Sequence, residues 1–213
     1  LDEEELRQSV AHFAASWVAE RIPPKGVLAI SGGRAMRWLS QRMNPSSPTN
    51  GLTVVQAMGN IAASVGPYDA LELGRVVAQR WQATFLTLNT LAILPDAQFR
   101  DRLLALDSVQ MVMQRLRAAD VAIVGLGTTR NSVFVERGVL TPRDAKRLEN
   151  AGTVGEICGR FFDQHGNECR TPLRDRVVGI ELESLRKIPE VIGMVVGRDR
   201  AAGDHDSFVG FVQ

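Results

Sequence analysis

Val27-Leu28-Ala29-Ile30-Ser31-Gly32-Gly33-Arg34 reads as a buried strand, a glycine turn and the opening of a helix. The helix continues amphipathically through Met36, Leu39 and Met43. A turn of this kind leaves backbone N–H groups at the positive end of a helix dipole, where an anion can bind. Gly32 and Gly33 let the backbone come close to such a ligand, and Arg34 can add a bidentate charged grip. The chemistry to look for is a phosphate on a small ligand; simple chain reversal is the alternative reading. No G-x-x-x-x-G-K-[ST] loop is present, which argues against a nucleoside triphosphate. Ser31-Gly32-Gly33 does not complete the dinucleotide fingerprint G-x-G-x-x-G.

Working outward, apolar residues recur at helical spacing over 2–21 (Leu6, Val10, Phe13, Ala14, Trp17 and Val18), and Pro23-Pro24 stops that helix. Upstream of Ser31, Lys25-Gly26 turns the chain into the first strand; downstream, a polar turn from Asn44 to Asn50 precedes a second strand over 52–58. Asp69 stands where a helix cap belongs, before a helix running from Ala70 to Trp81. A short third strand is expected over 85–88 and one or two helices over 96–118, the second capped by Asp107-Ser108. Val121-Ala122-Ile123-Val124-Gly125-Leu126-Gly127 is apolar on both faces, as a central parallel strand is. A short helix follows over 142–150, then a strand or loop over 153–163, a short strand over 177–180 and a last buried strand over 191–197.

This alternation calls for an α/β fold, a mostly parallel Rossmann-like sheet with helices on both faces. Ligands of such sheets bind beyond the carboxyl ends of the strands. Ser31-Gly32-Gly33, Gly59-Asn60, Gly125-Leu126-Gly127 and Gly197 all fall on that rim.

Composition narrows the function classes. The chain has 213 residues, 45% hydrophobic and 23% charged, with a formal net charge of +1. That length suits one α/β domain. Scattered charge of this size is poor for direct DNA binding, which leans on clustered Lys and Arg. No apolar run reaches the roughly 18 residues of a membrane span, and the acidic start Leu1-Asp2-Glu3-Glu4-Glu5 is no secretory leader. A cytoplasmic location is expected, and the missing initiator Met suggests a piece of a longer protein. Cys158 and Cys169 are too few for a four-ligand zinc site and read as free thiols. His12, His165 and His205 form no catalytic or metal set, so neither a metal nor another cofactor is expected.

The chain resembles the sugar-sensing domain of the SorC-type bacterial transcriptional regulators. The resemblance is carried, in order, by Ser31-Gly32-Gly33-Arg34, by Val55-Gln56 with Gly59, by Tyr68-Asp69-Ala70-Leu71-Glu72-Leu73, and by Ala119 to Gly127. It continues through Gly152 to Asp163, Arg176-Val177-Val178-Gly179-Ile180 and Leu185-Arg186-Lys187-Ile188-Pro189. It implies a fold related to sugar-phosphate isomerases and coenzyme A transferases and a pocket for a phosphorylated sugar. It also implies a homodimer or homotetramer, and DNA contact only through a helix-turn-helix domain upstream of this chain. The whole chain, 1–213, would be one effector-binding domain, altered or truncated after about residue 201.

The candidate ligand-binding residues are Ser31, Gly32, Gly33, Arg34, Gln56, Gly59, Asp69, Gly125, Gly127, Glu156 and Arg200. Gln56 can bond a sugar hydroxyl or a neighbouring backbone group, and Asp69 a hydroxyl or the helix end. Glu156 can face the pocket or solvent. The sequence also departs from the family pattern. Gly32 stands where Trp is frequent and Ala35 where Thr is frequent, and Val196-Gly197 and Arg200 stand where Gly-Gly and a lysine are usual. Two other functions are compatible with the residues. One is a sugar-phosphate isomerase using Glu156 or Asp69 as general base; the other is a degenerate oligomerisation domain.

Overall fold

The glycine turn after the first strand sits near the middle of a seven-stranded sheet. The structure is a computed structural model and describes residues 2–129 and 132–196. Five strands run parallel in the order β3 (Thr84–Leu86), β2 (Leu52–Gln56), β1 (Gly26–Ile30), β4 (Val121–Gly127) and β7 (Glu190–Met194). The last two residues of β4 pair antiparallel with β5 (Thr153–Ile157), which forms a hairpin with β6 (Arg160–Asp163). Register puts Ile30 beside both Gln56 and Ile123, and Gly125 beside Met194. Four carboxyl-terminal strand ends therefore share one rim.

Alternation along the strands feeds two cores. Leu28, Ile30, Val54 and Ile123 point to the face covered by α1 (Glu3–Arg21), α2 (Arg34–Arg42) and α3 (Ala70–Arg80). Val27, Ala29, Val55 and Ala122 point to the opposite face, covered by α5 (Asp107–Arg117) and by the segments around Leu88–Leu94 and Val178–Ile188. Each fully buried aliphatic side chain contributes about 1.5–3 kcal/mol of transfer free energy, and β1 buries four of its five residues. The α/β class with a mostly parallel sheet and helices on both faces is thus as expected.

Helix α1 is fixed at its start by a capping box, in which the Asp2 carboxylate accepts from the Glu5 N–H and Glu5 reciprocates. The same first turn is tied to α2 by Trp38, whose indole donates to Glu4 at 2.8 Å.

Several local expectations are corrected. Phe13 is 81% exposed and does not belong to the buried face of α1. Asp107 and Ser108 do not cap α5; Leu106 is its N-cap and supplies no side-chain bond. Asp69 does sit at the N-cap of α3, but its carboxylate makes no cap bond, because it is engaged elsewhere. Residues 177–180 form no strand; single bridges, Ile93 to Val177 and Met58 to Gly179, hold them beside the sheet. The 96–118 stretch is two helices, α4 (Ala97–Leu104) and α5, and 153–163 is the β5–β6 hairpin. The sequence reading also passed over two short helices, α6 (Val133–Glu136) and α8 (Leu182–Leu185); α7 (Pro142–Asn150) matches its expected span. Gly197 and Arg200 lie outside the described residues.

Candidate functional site

The rim is drawn together at the end of β1. The Ser31 hydroxyl accepts from the Gly125 N–H at 2.8 Å and donates to the Gly32 carbonyl at 3.0 Å, which couples the ends of β1 and β4. The Gly33 N–H donates to the Tyr68 carbonyl at 2.8 Å, clasping the turn to the loop before α3. No room remains for side chains. A Cβ on Gly32 would lie 2.6 Å from the Tyr68 oxygen, and one on Gly125 would lie 2.9 Å from the Gly32 oxygen. Gly33 has φ 138°, a conformation that glycine alone adopts readily. Gly33 is also the N-cap of α2 and, as a glycine, brings no capping side chain to the first turn of the helix.

Charged groups surround this turn. Arg34, the first residue of α2, forms an ion pair with Glu136 of α6. Asp69 is fully buried; both its oxygens accept from the Arg137 guanidinium, at 2.7 and 2.9 Å, and one also accepts from the Gly66 N–H at 2.7 Å. Arg137 further donates to the Ser64 carbonyl at 2.6 Å, so it pins the loop that carries Tyr68. On β5, Glu156 is paired in register with Gly127 and accepts from the Ser132 hydroxyl at 2.6 Å. Burial is the dominant influence on this carboxyl and raises its pKa; the bonds from Ser132 and from the Gly159 backbone pull the other way. Next to it Cys158 is buried at φ 53°, its thiol pushed up to about 12, first by burial and then by the neighbouring Glu156 charge.

The structure thus gathers Ser31, Gly32, Gly33, Arg34, Asp69, Gly125, Gly127 and Glu156 around one rim. Two other candidates are committed to the fold. The Gln56 amide donates to Asn60 at 3.0 Å and accepts from the Leu88 N–H at 3.0 Å. Gly59 is needed where chains cross, since a Cβ there would sit 2.6 Å from the Ala92 nitrogen. Arg200 lies outside the described residues. The sequence reading missed Ser132, Glu136 and Arg137. Their segment has no strong periodicity, and only the Ser132 cap of α6, whose hydroxyl accepts from the Phe134 N–H at 3.2 Å, carries a local signal. Among the described residues no group of three or more His, Cys, Asp or Glu side chains is placed to hold a metal ion. No helix among them is long and apolar enough to cross a membrane.

The profile of the Sugar-bind family, a sugar-binding domain, matches residues 1–203. The chain belongs to this family. This sugar-binding domain is 26% identical over 206 residues to the deoxyribonucleoside regulator of Bacillus subtilis, covering 96% of this chain and 65% of that protein. It is 23% identical over 207 residues to the sorbitol operon regulator of Klebsiella pneumoniae, covering 94% of this chain and 64% of that one. The chain therefore spans less than two thirds of the length of these curated relatives. Among solved structures, a DeoR family transcriptional regulator from Listeria monocytogenes superposes with a TM-score of 0.82 at 26% identity, over 91% of this chain and 76% of that one. Full-length SorC from Klebsiella pneumoniae gives a TM-score of 0.85 at 23% identity, over 92% of this chain and 64% of that one, and shows the shared fold. The resemblance to SorC-type regulators is thereby established at the level of family and fold.

Proposed function

We propose that this sugar-binding domain is the effector-sensing part of a bacterial transcriptional regulator and that its effector is a phosphorylated sugar bound at the rim. One observation carries the reading. The Ser31-Gly32-Gly33 turn, clasped to Gly125 and Tyr68, opens α2 with a glycine at the N-cap and Arg34 beside it. Backbone N–H groups at a helix start and a guanidinium are the groups that receive a phosphate. The carboxylates of Asp69 and Glu156, with the backbone at Gly125 and Gly127, supply acceptors and close approach for sugar hydroxyls, and Arg200 completes the proposed set. The relatives named above regulate deoxyribonucleoside and sorbitol genes by their names, which supports a carbohydrate effector.

The domain acts by binding, without catalysis. Asp69 is locked to Arg137 and Gly66, which leaves it poorly suited to take a proton from a substrate. DNA contact belongs to a separate helix-turn-helix domain upstream, and the working form is a cytoplasmic homodimer or homotetramer. Effector binding would change the assembly's affinity for its operator.

The test is a thermal-shift and calorimetric screen of hexose and pentose phosphates beside their unphosphorylated parents, with product analysis. Binding without turnover is the expected result. Losing a charge-assisted contact of about 1.5–3 kcal/mol, Arg34→Ala should weaken a phosphosugar by about 10- to 100-fold. The parent sugar should be little affected. Isomerised product, or an equal loss for sugar and phosphosugar, would refute the proposal.

A further inference from the structure

We infer that the segment 132–137 is a built-in stand-in for the effector, and that Glu136 sets the threshold for phosphate binding by holding Arg34 when no ligand is bound. The inference rests on the sugar-phosphate reading above and deepens it. Every charged side chain that the sequence nominates for ligand contact, among the described residues, is held by this one segment. Ser132 donates to Glu156 at 2.6 Å, Glu136 pairs with Arg34, and Arg137 holds Asp69 at 2.7 and 2.9 Å. An internal carboxylate thus occupies the cationic group best placed to meet a phosphate.

The three contacts are unequal in depth. Asp69 is fully buried and the Arg137 side chain only 22% exposed, so that pair resists exchange. Phe134, 1% exposed, anchors the middle of the segment in the core. Glu136, by contrast, is 56% exposed in its side chain and Arg34 26%, so water already reaches this pair and exchanging its anion needs little desolvation. The segment therefore has a fixed side at Phe134 and Arg137 and a replaceable side at Glu136. A carboxylate brings one negative charge and two oxygens. A phosphate monoester brings about −1.5 to −2 and three oxygens, and it outcompetes the carboxylate for the guanidinium. A neutral sugar has nothing with which to displace Glu136. The pair thus penalises a ligand that needs Arg34 by the fraction of time Glu136 occupies it, and it leaves a sugar that does not touch Arg34 unpenalised.

The experiment compares the chain with Glu136→Gln, which keeps the shape and removes the competing charge. Calorimetry with inorganic phosphate and with glucose 6-phosphate is run beside hydrogen exchange of residues 132–137 without ligand. The expected results are phosphate binding about tenfold tighter in Glu136→Gln, faster amide exchange in that segment, and loss of phosphate binding when Arg34→Ala is added. Unchanged phosphate affinity in Glu136→Gln, with both proteins binding, overturns the inference. Should neither protein bind either probe, the phosphate reading of the site is what fails. The stand-in contact is then decided by exchange: faster in Glu136→Gln supports it, and unchanged refutes it.

Discussion

Arg137→Met tests how the rim is held. In the native chain the buried Asp69 carboxylate accepts two bonds from Arg137 and one from the Gly66 N–H. The substitution preserves much of the side-chain length and leaves an ionised, fully buried carboxylate with the Gly66 bond alone. Breaking a buried ion pair from one side costs about 3–5 kcal/mol, and the retained Gly66 bond places this case near the lower end, about 3 kcal/mol. For a domain of this size that corresponds to a fall in Tm of about 6–12 °C. Urea unfolding followed by tryptophan fluorescence measures it, with a lower midpoint and an unchanged slope. Adding Asp69→Asn removes the stranded charge, so the double variant should recover at least half of the loss. A cost below about 1 kcal/mol for Arg137→Met, the range of an ordinary surface change, would refute the reasoning. So would a double variant no more stable than the single one.

Three other outcomes are expected. Gly32→Ala places a Cβ 2.6 Å from the Tyr68 carbonyl, so it should cost about 1–3 kcal/mol and loosen the turn; an unchanged melting temperature would show that the clasp yields freely. Glu156 has a raised folded-state pKa, so its contribution to stability is full below the ordinary value of 4.5 and is lost as pH rises through the folded value. Glu156→Gln, which cannot ionise, should therefore gain stability over the parent as pH rises from 4 to 7 and match it at pH 4, as read from melting curves across that range; a constant offset would contradict this. Cys158, with its thiol pushed up to about 12 and no exposed surface to speak of, should stay unmodified by a disulfide reagent at pH 8 while urea-unfolded chain reacts fully. Rapid native labelling traced to Cys158 by peptide mapping would count against its burial.

The parallel core was legible because its strands are near-continuous apolar runs between glycine turns, and β1 and β4 came out where Val27–Ile30 and Val121–Gly127 indicated. The glycine-rich rim was legible for a related reason: Gly33 takes a φ that few other residues tolerate, and Gly32 and Gly125 face backbone at contact distance. What escaped the sequence is pairing over distance. Nothing near Asp69 announces Arg137, and nothing near Arg34 announces Glu136, because the partners are the last residue and the C-cap of one four-residue helix too short for periodicity to mark. Helix α5 misled for a different reason, since Asp107-Ser108 has the composition of a cap but the helix already includes both residues. At 177–180 a strand-like sequence met a place where only isolated bridges to Met58 and Ile93 were available.

The bond from Gly33 to Tyr68 has a practical corollary. Tyr68 is the single tyrosine of the chain, and its ring lies 5.6 Å from the Arg37 guanidinium on the first turns of α2. Incorporation of 3-fluorotyrosine would thus yield one fluorine resonance, and that resonance would come from the hinge between the turn and the loop before α3. The molecule carries its own reporter, able to register a shift of the glycine-lined edge in solution with no engineered label.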